Sequence, residues 1–469
     1  MLAQRSTIRH NPGVPVHIDS QGATALLARE VAALSLADLP PGVRTAAKLC
    51  VLDVLGVAIA GSREPVTEVV RTALAADGTS AGTGDAAILG RPESVRALDA
   101  ALVNGTAAHA LDFDDVAAAM GGHPSAPVLP AALAVAQSRG LSGAALLTAF
   151  AAGFEVECRI GAALTGHYER GFHTTATVGT LGAAAAAARL MRLDAEATAR
   201  ALGIAATQAA GLKAMFGTMC KPLHAGRAAS AGVLAALLAE QGMTSADEPL
   251  TAHQGLAETQ ADGFDDTFIT PFGEPWYVPQ ALFKMHASCY LTHAPINALL
   301  RLREEHPELP EETDTVELRV SAGHLHVCAI PEPRTALEGK FSLRFTAALA
   351  LAEGTADESR FTTATVTDPR LTALRDRVTV VPDEHLTQWN GTVTVTTSNG
   401  ATYRGEADTG TPNWVDDPGE QTPGLLAKFH GLTEPHLGEA RAKKLSSAVL
   451  ALDTLEDLTE LTTLASPLP

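Results

Sequence analysis

The sequence predicts a mainly α-helical protein: a large all-helical domain with a smaller α+β domain set against it as a lid. Three observations carry this reading. The 469-residue chain is 46% apolar but only 4% aromatic, and alanine dominates the apolar count. Alanine is the best helix former and lets helices approach closely. From residue 22 to about residue 256, helical periodicity is broken mainly by Gly and Pro, and near residue 275 the texture changes to alternating, strand-like runs. The expected domains are an all-helical one over 20–275, completed by 411–465, and an α+β one over 276–410.

Taken in order, residues 1–20 are polar and Pro-containing and read as an arm. Thr45–Ala60 is a helix stopped at Gly61, read as a C-terminal glycine. Further helices are expected over Val95–His109, Pro127–Arg139, Gly143–Leu164, Thr177–Arg192, Ala195–Ala210 and Ala225–Gln241. In the second domain Val316–Val320 and Arg377–Val381 alternate as strands, with Lys340–Glu353 helical between them. Thr392–Thr397 and Ala401–Glu406 flank Ser398-Asn399-Gly400, where Asn-Gly supplies the positive φ angles of a tight hairpin turn. Lys443–Leu455 closes the chain as a helix.

The formal net charge of −19 argues against a nucleic-acid partner, since phosphate binding needs a basic face. An anionic substrate would need a locally positive pocket in this negative chain. Five scattered cysteines without a CxxC pair fit neither a disulfide framework nor structural zinc, and point to a reducing cytoplasm. No secretory h-region or membrane span is read.

Four segments concentrate His, Lys, Asp and Cys at expected helix ends. HALDFDDVAAAMGGHPSAPVLPAALA begins at His109; it holds Asp112, Asp114 and Asp115, then His123 before Pro124. Acids at a helix C-terminus oppose its dipole, which favours another role for Asp112, while Asp114 and Asp115 read equally well as a solvated acidic turn. HYERGFHTTATVGTLG crowds His167, Tyr168, Arg170 and His173 into a Gly-rich turn. In GTMCKPLHAGRAASAG, Pro222 suits a first helical turn, and Lys221, His224 and Arg227 recur at three-residue spacing, as one carboxylate-binding face would require. KMHASCYLTHAPINAL gathers Lys284, His286, Cys289, Tyr290 and His293 at the expected domain junction.

Proton abstraction beside a carboxylate needs a base working near neutral pH and donors that hold the carboxylate as charge builds. His, Lys/Arg and an orienting Asp meet that need without a cofactor or a metal. No GxGxxG after a strand, P-loop, HExxH or GxSxG elbow is present. DFDD alone, with no second acidic motif, makes a weak case for Mg²⁺ and diphosphate.

The four segments, in this order, resemble the MmgE/PrpD family, as does EGKFSLRFTAALALAEG; the likeness runs from about Thr24 to Leu455. The family includes 2-methylcitrate dehydratase, cis-aconitate decarboxylase and iminodisuccinate epimerase. The resemblance implies a homodimer, with a site in a cleft between a helical and an α+β domain. It places pocket residues at Asp112, His123, His173 and Lys221. Two positions differ from the decarboxylase branch: Val116 stands where that branch has Thr, and Cys289 where it has His. The expected activity is a cofactor-independent hydro-lyase dehydrating a hydroxy-polycarboxylate of the 2-methylcitrate type. Lys221 binds carboxylate, His123 and His173 share acid and base roles, and Asp112 orients one of them. Arg227, His224, Lys284, Cys289, His293 and Tyr168 are candidate substrate contacts. An iminodisuccinate-type epimerase with Cys289 or His293 as second base, a cis-aconitate-type decarboxylase and a helical scaffold are the alternatives.

Overall fold

The computed structural model describes residues 22–76, 84–412, 414 and 416–467; the arm expected over 1–20 lies outside them. The chain forms two compact units. One holds 284–412 with 216–218, and the other holds 22–215, 219–283 and the tail from 414.

The larger unit is helical: α1 (Gly22–Ala33), α2 (Pro41–Gly61), α3 (Pro65–Ala76), α4 (Ala97–Ala110), α5 (Ser125–Ser138), α6 (Gly143–Ala163), α7 (Thr174–Leu190), α8 (Ala195–Ala206) and α9 (Cys220–Glu240). Helices Thr422–Leu437 and Glu439–Leu450 from the tail pack back onto α2. At the centre lies α7, whose run Ala183–Ala188 is fully buried between α5, α6, α8 and α9. A helix apolar on all sides has no solvent face to present, and alanine lets four neighbours close on it.

Glycines set the closest approaches. Gly61 ends α2 inside the helix rather than in a left-handed cap, and a Cβ there would collide with the Ala107 carbonyl of α4. The expected cap is instead a packing notch, because glycine signals both positive φ and close contact. Helices α4 and α9 likewise cross at Gly105 and Gly226, where a Cβ on Gly105 would sit 2.8 Å from the Gly226 Cα. This crossing lies near the C-terminal end of α4 and the N-terminal end of α9, and so brings His109 and Lys221 together.

The smaller unit carries a four-stranded mixed sheet in the order 378–382, 313–320, 390–397, 402–408, the first pair parallel and the others antiparallel. Alternate residues of Asn390–Thr397 are buried, and helix His293–Glu305 packs on this strand and on Thr402–Asp408. The hairpin turn differs from a two-residue Asn-Gly turn. Only Gly400 has a positive φ, of 86°, while the Asn399 side chain accepts from Thr397 Oγ1 and Ala401 N. Asn399 thus closes the loop with its amide oxygen rather than by a left-handed backbone.

Candidate active site

His109 sits in the last turn of α4, and the chain then turns through Asp112 to Asp115. Asp112 adopts φ 51°, a left-handed value that Asp tolerates better than most residues. This twist aims successive acids in different directions. Asp112 and Asp114 meet the histidines, whereas Asp115 accepts from Ser125 Oγ at 2.6 Å and Ser125 N at 3.3 Å, serving the N-terminus of α5. Both Asp114 and Asp115 are fully buried, so neither belongs to a solvated turn.

The loop that follows is pinned on both sides. Val116 exchanges two backbone bonds with Leu282. The first residues of α7 hold the His123 segment: Thr174 Oγ1 donates to Gly121 O, and Thr175 Oγ1 accepts from His123 N. His173 immediately precedes α7 and is fixed by its N–H to Gly211 O at 3.0 Å.

These supports assemble one buried cluster. His109 Nδ1 lies 3.0 and 2.9 Å from the two Asp114 oxygens. His123 Nδ1 lies 3.1 Å from Asp114 Oδ2, and its Nε2 is 3.6 Å from Asp112 Oδ1. Lys221 Nζ bridges Asp112 Oδ1 at 2.8 Å and His109 Nε2 at 3.0 Å. The rings of His109 and His173 stack at 5.7 Å, and His173 Nδ1 is 3.1 Å from His224 Nδ1. An ionised Asp114 fixes the His109 proton on Nδ1 and leaves Nε2 as the acceptor for Lys221.

Burial dominates the electrostatics. It lowers His109 to about 3, with Lys221 and His123 adding to the shift and Asp114 opposing it. His173 is pushed well below the usual imidazole range by burial and then by Lys221 and the neighbouring histidines. Burial and Lys221 lower His224 to about 4. Burial works against charge on Asp114 too, but the imidazoles of His109 and His123 hold it well below the usual carboxylate range. At neutral pH the cluster therefore holds an ionised Asp114 facing imidazoles that are neutral at His109, His173 and His224.

His109, Asp112, Asp114 and His123 each offer a donor atom, all within 4.8 Å of one another, a spread that one divalent ion could bridge. Lys221 already occupies a cation's place between two of these residues, and His109 has both ring nitrogens engaged. The donor set therefore fits proton transfer better than metal binding.

The structure gathers Asp112, His123, His173, Lys221 and His224 from the sequence-derived candidates and adds His109 and Asp114. Arg227 is exposed, and no bond joins it to the cluster among the described residues. Six residues beyond Lys221 is about 120° around the helix from it. Tyr168 is half-buried beneath Lys213, whose Nζ lies 3.4 Å from the ring centroid. Lys284, Cys289 and His293 belong to the smaller unit. There Lys284 and His293 are buried, Cys289 N donates to Lys340 O, and the His293 ring stacks on Tyr290 at 4.7 Å.

Comparison with known proteins decides the family. Residues 25–269 match the MmgE/PrpD N-terminal domain, and residues 286–454 match the MmgE/PrpD C-terminal domain. The chain belongs to the MmgE/PrpD family. Among curated MmgE/PrpD relatives it is similar to a cis-aconitate decarboxylase of Aspergillus terreus (27% identical, covering 94% of this chain and 95% of the relative). It is similar also to the human cis-aconitate decarboxylase (29%, covering 94% of each). A cis-aconitate decarboxylase-like protein of Aspergillus oryzae is 28% identical over 94% of this chain and 97% of its own. No helix among the described residues is long and apolar enough to cross a membrane.

Proposed function

We propose that this MmgE/PrpD chain is a lyase that acts on a small polycarboxylate by moving a proton at the carbon next to a carboxylate. The observation that carries the reading is Lys221 Nζ held between Asp112 and His109, with Asp114 behind that imidazole and His123 beside it. Lys221 receives a substrate carboxylate, and the neutral imidazoles stand ready as bases. Negative charge arriving with the substrate raises their proton affinity, so an imidazole that takes up a proton can return it as an acid.

Within this class, decarboxylation of a cis-aconitate-type acid ranks first, because relatives similar over nearly their whole length carry that name. Dehydration of a 2-methylcitrate-type acid is the second reading. Val116, standing where the decarboxylase branch has Thr, favours it, because this buried side chain brings no hydroxyl of its own to the turn. The test is incubation with cis-aconitate, 2-methylcitrate and iminodisuccinate in D₂O, followed by proton NMR. Loss of CO₂, a new enoate, or deuterium in recovered substrate separates the three chemistries. Lys221→Ala and His123→Ala are each expected to lose at least about a hundredfold in kcat/KM while melting cooperatively. Wild-type rates in both variants, or no turnover of any of the three acids, would refute the reading.

A further inference from the structure

We propose that Lys428 is a positioning residue for the turn that presents Asp112 and Asp114, an inference that rests on the cluster being the active site. Lys428 comes from the tail helix Thr422–Leu437, more than three hundred residues along the chain from that turn. Its Nζ donates to the Phe113 carbonyl at 2.7 Å, pairs with Asp53 Oδ1 of α2 at 2.6 Å and lies 3.9 Å from the centroid of the Phe113 ring. Phe113 stands between the two site acids, and Asp53 and Lys428 are both buried.

The turn needs such a hold. Asp112 has a left-handed backbone, a conformation that persists in a non-glycine residue only where the surroundings over-determine it. Its own N–H reaches His109 O at 3.2 Å, and Asp115 is held by Ser125. Between these two supports, the Phe113 carbonyl is gripped by the Lys428 amine, and Asp53 holds that amine in turn. If Lys428 is lost, the peptide between Asp112 and Asp114 can rotate. Asp112 then shifts against Lys221, and Asp114 against both imidazoles.

A simple ion pair tying the tail helix to α2 would give the same buried contact, so the test separates the roles. Asp53→Asn, Lys428→Met and the double variant are made in the full chain. The double variant removes both charges and keeps the volume, whereas Lys428→Met alone leaves Asp53 buried without its cation. Two quantities are read: kcat and KM, and the ring ¹⁵N resonances of His109 and His123, which report the tautomers that Asp114 imposes. The double variant is expected to melt within a few degrees of wild type, with kcat down about a hundredfold and KM little changed, and with displaced His resonances. Asp53→Asn keeps the bond to Phe113 and should lose less than about tenfold. A double variant with wild-type kcat, or with unmoved His resonances whatever its rate, overturns the proposal. If wild type turns over none of the acids, the lyase reading fails separately and the resonances alone decide Lys428. If the double variant does not fold, Lys428→Arg, which keeps the charge but shifts the donor, is judged by the same readouts.

Discussion

Replacing Asp114 by Asn should disable the cluster while changing its volume hardly at all. Both Asp114 oxygens lie about one hydrogen-bond length from His109 Nδ1, at 3.0 and 2.9 Å. An amide there presents its C=O and its NH₂ to that nitrogen at nearly equal distances, so it no longer fixes the proton on Nδ1 as a carboxylate does. In the tautomer that accepts from the amide, His109 carries its proton on Nε2, which points at Lys221 Nζ only 3.0 Å away. Donor meets donor, and Lys221 is left with Asp112 as its acceptor. In a serine-protease triad the equivalent Asp→Asn change lowers kcat about 10⁴-fold. Here we expect a loss of about 10² to 10⁴, or roughly 3–5 kcal/mol of barrier. Losing a charged acceptor costs about 1.5–3 kcal/mol of stability, so the variant should still fold. Steady-state rates on the identified substrate, together with ¹⁵N ring shifts of His109, form the assay. A variant within tenfold of wild type, or one with the His109 tautomer unchanged, would refute the reasoning.

Three further outcomes are expected. Burial, aided by the carboxylates of Asp53 and Asp114, raises Asp115 to about 8, so the fold holds its proton while the unfolded chain loses it near pH 3.9. Stability from this group is thus lost as pH rises from about 4 to about 8, at about 1.4 kcal/mol per pH unit. Asp115→Asn should flatten that slope, and an unchanged slope between about pH 4 and about pH 8 would count against the assignment. The buried imidazoles His109 and His173 act in the opposite direction: neutral in the fold, they contribute stability above pH 6.5 that is lost on acidification, at roughly 3 kcal/mol per pH unit together. Denaturant melts between pH 7 and pH 5 measure this, with His224, lowered to about 4, acting in the same direction. Gly226→Ala puts a Cβ into the Leu102 carbonyl and should cost about 1–3 kcal/mol. It should also lower activity beyond what the melt explains, whereas Gly431→Ala, with nothing within 4 Å of its Cβ, is the harmless control.

Long, periodic helices were legible in the sequence because their apolar faces span many turns. Gly143–Ala163 and Ala195–Ala206 begin where the pattern says they should. Helix His293–Glu305 was not legible, since its first turn holds Pro295 amid a cluster of His, Cys and Tyr that reads as a site rather than as an element. Polar groups gathered at the ends of alanine-rich helices marked the segments, the family resemblance singled out Asp112, His123, His173 and Lys221 within them, and the structure brings these four together. His109 opened the first segment but was not among the candidates, since a single histidine between Ala108 and Ala110 at the end of an alanine-rich helix carries no local signal. Its partner Asp114 becomes recognisable only once the left-handed Asp112 turns the two acids toward one centre. Thr174 and Thr175 were hidden as well. Their hydroxyls matter through the loop at Gly121–His123, some fifty residues earlier, which no local pattern reveals.

A helical scaffold would have little use for such a cluster. The larger unit is filled with alanine and leucine, and apolar side chains of similar volume would pack where His109, Asp114 and Lys221 now sit. Buried ion pairs seldom stabilise a fold more than the apolar groups that could replace them, because desolvation offsets their attraction. Lowering two imidazoles far from their ordinary range also gives up stability on acidification. Groups set against stability in this way, converging from the ends of α4 and α9 and the start of α7, are the arrangement that proton transfer needs: a base held neutral, its tautomer fixed by a carboxylate, and a cation within reach of both. The fold holds them at some cost in stability, a cost that the proposed proton transfer would account for.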